Sequence, residues 1–190
     1  MKKILLAVLA LVTSAGALAQ SAVYKIDPSH TKAIWEAKHF GTSTNRGHWD
    51  KTDGEITLDK VAKTGRVDVT IDMSSINTGV APFNTHLKGP DFFDVANHPT
   101  ARFVGDKLKF EGDKVVEVAG NMTIRGKTNP AVLRAMLYNC YENPRLKREV
   151  CGGDFETVVK RSTYDINWGL VENFTSDDIK VTIQIEAVKQ

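Results

Sequence analysis

Apolar and polar residues alternate over most of the chain after residue 22, which is typical of β-strands with one buried face. The clearest series is Val67, Val69, Ile71 and Met73, whose intervening positions are polar or charged. Similar series occupy residues 31–39, 101–110, 116–124, 133–137, 155–161 and 179–187. Strands at such short spacing, each with one apolar face, predict an all-β domain, either an antiparallel sandwich or a closed barrel.

Two features favour the barrel. The long first and last strands could pair with each other, which would remove both edges of the sheet. Several inward positions are also small, which leaves space inside the lumen: Ala33, Ala37, Gly120 and Ala135. A solid core, in which these small residues pack against Trp35, Trp49 and Trp168, is the alternative.

Residues 83–94 depart from the strand pattern. Phe83 and Leu87 lie at helical spacing, and a Gly-Pro pair then ends any helix. Phe92 and Phe93 follow, between two aspartates. Two adjacent aromatic rings in a connecting segment need a surface to pack against, so this segment is predicted to close the inside or the mouth of the barrel.

The first residues have the form of a secretory signal peptide. Lys2 and Lys3 precede an uncharged apolar run over residues 4–12, and Ala17-Leu18-Ala19 fits signal peptidase. The apolar run is far shorter than the ~20 residues of a membrane span. We therefore expect residues 1–19 to be removed after Ala19, and residues 20–190 to form one periplasmic domain.

The charge balance gives no sign of a nucleic-acid partner. The chain holds 25 Lys and Arg against 23 Asp and Glu. Because Lys2 and Lys3 belong to the predicted signal peptide, the mature chain has equal numbers of each and no basic footprint.

The two cysteines, Cys140 and Cys151, flank a segment with a Pro turn and a charge cluster. In an oxidising compartment such thiols are expected to pair and clip a hairpin loop. A redox-active or metal-binding pair is the alternative, although the chain has no Cys-x-x-Cys motif.

The sequence offers little for catalysis or for a metal. Asp91 and Asp94 are spaced to cap the aromatic turn, and no nucleophile elbow or phosphate-binding loop is present. The histidines have no helical metal-ligand spacing: His30, His39, His48, His86 and His98. We expect no enzymatic activity, no metal and no cofactor, with His39 as the best candidate for a polar contact in the lumen.

Five segments in order resemble the YceI-like family of periplasmic polyisoprenoid-binding proteins: residues 24–31, 38–41, 86–103, 118–126 and 177–187. The resemblance implies an extended, lipocalin-like antiparallel β-barrel of about eight strands, with short helical segments and an apolar tunnel. It also implies that the tunnel holds a polyisoprenoid or similar long-chain amphiphile, such as an isoprenoid quinone or its precursor.

The residues expected to form the tunnel and its lid follow from strand parity and residue type. The expected tunnel residues are Trp35, His39, Val69, Ile71, Phe103, Met122, Ile124, Leu133 and Ile183. The expected lid residues are Phe83, Leu87, Phe92 and Phe93. The chain departs from the family pattern at residues 165–170 and in the segment between the cysteines, and both are expected near the tunnel mouth.

Two other functions are compatible with these patterns. One is a redox accessory to a membrane cytochrome and quinone system, and the other is a solid-core β-domain that binds a protein partner. A lipid carrier would also make transient contact with a membrane or membrane cytochrome, and an exposed mouth could pair across a two-fold axis to give a homodimer.

Overall fold

The structure, a computed structural model, describes residues 21–190. The predicted signal peptide, residues 1–19, lies outside the described residues. In the part of the chain that the structure describes, no helix is long and apolar enough to cross a membrane.

Strands make up most of residues 21–190. Their bounds are β1 Ala22–Ile26, β2 Lys32–His39, β3 Ser43–Trp49, β4 Thr52–Asp59, β5 Thr64–Asp72, β6 Ile76–Asn77, β7 Thr100–Glu111, β8 Lys114–Ile124, β9 Lys127–Asn143, β10 Arg148–Lys160 and β11 Thr175–Lys189. The same range contains one α-helix, α1 (Ala81–Lys88), and two short 3-10 helices, Met73–Ser75 and Arg161–Tyr164.

The strands close into an antiparallel barrel, as the family resemblance implied, and not into the sandwich that the alternation left open. Its ring runs through eight strands in the order β1-β4-β5-β7-β8-β9-β10-β11, and β11 returns to β1. The closing register pairs Tyr24 with Lys189 and Ile26 with Ala187. Closure leaves the ring without a free edge, so the first and last strands have the role that the sequence predicted.

Three further strands extend the wall. The chain breaks at Asp27 to Thr31, and β2 then continues along β11 beyond β1. In the same way β3 pairs with β2, and the short β6 pairs with β3. The wall therefore rises higher on this side, where it surrounds the larger free space in the lumen.

The two ends of the barrel differ in their connections. We call the end with the short turns at residues 60–63, 112–113 and 144–147 the turn end. The opposite end carries the long connections, which include residues 73–99 and 161–174. We call this the lid end, and we call residues 81–95 the lid.

A β-bulge in the pairing of β9 with β10 changes which residues of β9 face inward. Leu133 is buried, as the alternation predicted, but Leu137 is 60% exposed. The register shifts between Asp154 and Phe155, and past this point Tyr138 faces the lumen instead. The prediction that Leu137 continues the inward series is wrong, because an extra residue in one strand reverses the parity of all that follow.

Candidate functional site

The free space in the lumen is divided into two cavities. The open chamber, towards the lid end, has a volume of about 430 Å³. The narrow chamber, towards the turn end, has a volume of about 60 Å³. Since a water molecule takes up roughly 30 Å³ in the liquid, the narrow chamber has room for only a small group, whereas the volume of the open chamber is in the range of small-molecule sites.

Strands and connections both contribute to the open chamber. From the strands come Trp35, Ala37, His39, Asn45, Trp49, Ile124, Val159, Thr175, Ile179 and Val181. From the connections come Phe40, Phe83, His86, Leu87, Phe92, Phe93, Arg161, Tyr164, Ile166, Trp168 and Phe174. Apolar and aromatic side chains dominate this lining, and it contains no carboxylate.

The lid folds as the sequence predicted, with a short helix followed by an aromatic turn. Helix α1 has Pro82 in its first turn and ends at Gly89. The backbone amides of Phe92 and Asp94 then donate to the carbonyl oxygen of Gly89, at 3.1 and 2.8 Å. This tight turn points Leu87 and Phe92 inward, and both side chains are buried.

The two tryptophans of the chamber wall anchor the lid. The ring of Phe83 meets Trp35 edge to face at 6.3 Å, and Phe93 meets Trp49 at 5.5 Å. The Trp35 indole lies against Gly47 on the neighbouring strand, where a Cβ atom would come within 2.7 Å of the ring. Gly47 therefore lets the indole lie back against the wall, which keeps the chamber open.

Five rings close the mouth of the chamber, and we call them the mouth cluster: Phe40, His86, Phe92, Trp168 and Phe174. Their contacts run from 4.8 Å between His86 and Phe92 to 5.9 Å between Trp168 and Phe174. Phe40 and Trp168 are partly exposed to solvent. Since edge-to-face and tilted ring contacts each contribute only about 0.5–1.5 kcal/mol, the cluster can open at modest cost.

One permanently charged side chain, Arg161, lines the open chamber. It is 6% exposed. Its guanidinium group donates to the backbone oxygens of Ser176, Ile166, Trp168 and Thr175, at 2.9 to 3.3 Å. These bonds tie the connection of residues 165–174 to the start of β11. Burial lowers the pKa of Arg161 from its ordinary value, and nearby Asp177 opposes that shift.

A polar cluster with a disulfide lies at the turn end. The predicted disulfide is confirmed: Cys140 and Cys151 are bonded and are direct partners in the pairing of β9 with β10. Close by, Glu149 accepts hydrogen bonds from the hydroxyl of Tyr24 and from Lys60 Nζ, the latter at 2.6 Å. Burial raises the pKa of the Glu149 carboxyl, but these two bonds and the positive charges of Lys60 and Lys189 together lower it by more, so its pKa is below the ordinary value.

The same cluster affects two tyrosines. Burial raises the pKa of Tyr138 to about 12, and the negative charge of Glu149 adds to the shift. The pKa of Tyr24 is also raised, first by burial and then by its hydrogen bond to Glu149. Both phenols line this end of the lumen in the protonated form, and the Tyr24 hydroxyl donates to Glu149.

The structure divides the predicted site residues between the two chambers. Seven line the open chamber: Trp35, His39, Phe83, Leu87, Phe92, Phe93 and Ile124. Four line the narrow chamber: Val69, Phe103, Leu133 and Ile183. The remaining two, Ile71 and Met122, line neither. His39 lies at the exposed mouth, against the ring of Phe40 at 4.7 Å, and not deep in the lumen.

The two segments expected near the mouth lie at opposite ends. Residues 165–170 are at the lid end, where Ile166 and Trp168 line the open chamber. The disulfide is at the turn end, where Cys151 lines the narrow chamber. For the segment between the cysteines the expectation was wrong.

The sequence reasoning missed several residues of the open chamber. The most informative is Arg161, which ends the inward series of Phe155, Thr157 and Val159 and so carried a usable signal. No such signal in the sequence pointed to Phe40, Ile166 or Phe174. These residues lie in connections, where strand parity does not predict the direction of a side chain.

The histidines do not gather into a cluster among residues 21–190. In that range the one group of three candidate metal ligands is Cys140, Glu149 and Cys151. Both of its sulfurs are used in the disulfide.

Comparisons with known proteins agree with this architecture. The family model described as the YceI-like domain matches residues 24–187. Protein YceI of Salmonella arizonae is 32% identical over 175 residues, which cover 90% of each chain.

Solved structures give the same picture. The YCEI protein of Campylobacter jejuni is 27% identical with a TM-score of 0.70, covering 80% of this chain and 90% of that chain. A polyisoprenoid binding domain from Saccharophagus degradans, implicated in plant cell wall breakdown, shares the fold at 14% identity, with a TM-score of 0.63, covering 88% of this chain and 98% of that one. The match of the family model and the identity to curated relatives together show that the chain belongs to the YceI-like family.

Proposed function

We propose that this protein is exported to the periplasm and binds there a polyisoprenoid or a similar long-chain amphiphile, such as an isoprenoid quinone or its precursor. The observation that carries the proposal is the open chamber, which has a volume of about 430 Å³ and an apolar, aromatic lining. A monomeric domain that needed only a solid core would gain stability by filling this space.

The energetics of such a site favour a long apolar tail. Each buried methylene contributes about 0.8 kcal/mol. Ordering of the tail and desolvation of its head offset part of that gain. A tail of many carbons therefore binds firmly even though the lining offers few hydrogen bonds.

A tail longer than the open chamber would continue towards the turn end past Met122. Met122 pairs with Phe103, which lines the narrow chamber, and Ile124 on the same strand lines the open chamber. Methionine side chains are flexible and adapt to irregular spaces. Met122 is thus suited to let the end of a tail pass between the chambers.

The printed description of the Saccharophagus degradans domain as polyisoprenoid binding supports the class of ligand. The sequence of residues 1–19 supports export with cleavage after Ala19. The Cys140–Cys151 disulfide fits an oxidising compartment. In this proposal residues 20–190 form the lipid-binding domain and act by binding alone, without catalysis, metal or cofactor.

Native mass spectrometry of protein purified from the periplasm without detergent tests the proposal. We expect a species heavier than the disulfide-bonded polypeptide of residues 20–190, with the excess released into organic solvent. The matched variant is Ala37→Phe, which fills the open chamber from its wall. It should lose the cargo and keep the fold, since an added ring there occupies existing space.

Two results would contradict the proposal. One is wild-type protein that is reproducibly free of any bound amphiphile. The other is an Ala37→Phe variant that carries the same cargo in the same amount.

A further inference from the structure

The side chains of the open chamber that can carry a positive charge have no acidic counterpart except the phenol of Tyr164, whose pKa is raised by burial. The basic side chains are Arg161, His39 and His86, and no Asp or Glu lines this space. The mature sequence has nearly balanced charge overall, so this bias belongs to the chamber and not to the protein as a whole. An apolar cavity that has basic groups and no carboxylate is electrostatically complementary to an anionic ligand group.

Arg161 is the permanent charge of the three. It is more than nine-tenths buried, yet no ion pair joins it to a carboxylate among residues 21–190. Its four acceptors are neutral backbone oxygens. The guanidinium group has five N–H donors, so one N–H of Nη1 is left over.

Asp177 is placed to interact with Arg161 but has other partners. Its carboxylate accepts from the amide and hydroxyl of Ser162, at 2.8 and 2.9 Å. Lys160 Nζ lies 4.0 Å from the same carboxylate. Arg161 therefore has no direct ion-pair partner, although the charge of Asp177 acts on it from nearby, in a place where burial of a charge is costly.

Resting on the proposed function, we propose that the open chamber selects amphiphiles with an anionic head, a carboxylate or a phosphate, and that Arg161 is the residue that recognises it. The head lies near Arg161 at the lid end, and the tail extends along Val159 and Val181 towards the turn end. A bound anionic head would supply the negative charge that the neutral backbone oxygens lack. It would do so in a site largely shielded from water.

Displacement of Nile red by four ligands with the same hexadecyl chain tests this inference in wild-type protein freed of its cargo. The ligands are hexadecanoate, hexadecyl phosphate, hexadecanol and hexadecylamine, each used below the concentration at which it forms micelles. We expect at least one anion to bind about tenfold or more tighter than the alcohol, since hydrogen bonds to charged groups exceed neutral ones by about that factor. The two anions show whether carboxylate or phosphate is preferred.

The variant Arg161→Gln should bring the anion-to-alcohol affinity ratio close to one. If the role of Arg161 were purely structural, the substitution would weaken the binding of all four ligands alike and leave that ratio unchanged. The matched control is Lys160→Gln, which removes the same charge one residue earlier from a side chain that is 61% exposed and outside the chamber. It should retain the wild-type ratio.

The wild-type series decides the question even if Arg161→Gln does not fold. Equal affinity for the alcohol and both anions, or preference for the amine, would overturn the inference and leave the proposed function intact. If none of the four ligands displaced Nile red or bound to the protein, the result would instead count against the proposed function.

Discussion

At the turn end the lumen is filled by side chains that the strands themselves supply, whereas at the lid end many of the large side chains come from the connections. The narrow chamber is surrounded by residues such as Phe103, Leu133 and Phe155, each fixed by its place in a pairing register. In the open chamber, Phe83, Phe92 and Trp168 reach in from loops and a short helix. Strand residues cannot withdraw without breaking the ladder, but connections can move.

Each end is also fastened in a different way. A covalent bond and a partly buried polar cluster hold the turn end. Ring contacts and the bonds from Arg161 to backbone oxygens hold the lid end. The comparison indicates a rigid base that carries stability and an upper part that can open to admit a ligand.

The largest expected difference is between two equally buried phenylalanines. Phe103→Ala, at the turn end, should lower the free energy of unfolding by about 3–5 kcal/mol, because the narrow chamber beside it is small and most contacts of the ring are with packed side chains. Phe92→Ala should cost less, about 1–3 kcal/mol, because its ring borders the much larger open chamber and has fewer packing contacts to lose. Urea unfolding of cargo-free protein measures both, and equal losses would contradict the contrast between the two ends.

The disulfide gives the second contrast. Replacing both Cys140 and Cys151 by Ala should reduce stability by about 3 kcal/mol, since it frees the unfolded chain from a short closed loop. Ligand affinity should change little, because the bond lies beside the narrow chamber. Thermal unfolding and Nile red titration of the same samples test both parts, and a large loss of affinity would show that the two ends are coupled.

Much of the barrel could be predicted from the sequence because strand parity is a local property. Val67, Val69 and Phe103 face inward, as alternation requires. Leu137 does not, because the bulge that reverses its direction depends on the neighbouring strand, β10. Alternation in β9 alone carries no sign of that extra residue.

The candidate site was harder to predict than the fold. The lid aromatics could be found because their break from alternation is visible in the sequence. The division of the lumen into two chambers could not, because it depends on how side chains from different strands and connections pack against one another across the lumen. Arg161 was visible in an inward series, but its backbone partners come from the fold.

Glu149 supplies a pH-dependent test of the turn end. Since the pKa of its carboxyl is lower in the folded protein, its bonds to Tyr24 and Lys60 stabilise the fold above the ordinary range for glutamate, about pH 4.3. That contribution is lost as the pH falls through the folded-state pKa. Glu149→Gln should therefore cost about 1–2 kcal/mol at pH 7 and progressively less in acid.

The matched control for Glu149 is an exposed pair at the other end. Asp165 lies 2.9 Å from Lys127, and both side chains are more than half exposed. Asp165→Asn should change stability by less than about 1 kcal/mol at pH 7. Urea midpoints collected from pH 7 down to acid compare the two variants, and an equal effect of both would mean that Glu149 is no better shielded than a surface group.

The smallest expected effect on stability concerns Phe40 of the mouth cluster. Its φ angle is +49°, in the left-handed region that bulky residues rarely occupy, and its side chain is 54% exposed. Asn tolerates this backbone conformation better, so Phe40→Asn should gain at the backbone about what it loses in ring contacts with His39 and Phe174. Stability should stay within about 1 kcal/mol of wild type.

Ligand dissociation from the Phe40→Asn variant, followed by stopped-flow transfer of Nile red to vesicles, should become faster, because the mouth has lost a ring. Phe40 would then be a residue whose strained conformation serves closure and not folding, and an unchanged dissociation rate would place the exit route away from the mouth cluster.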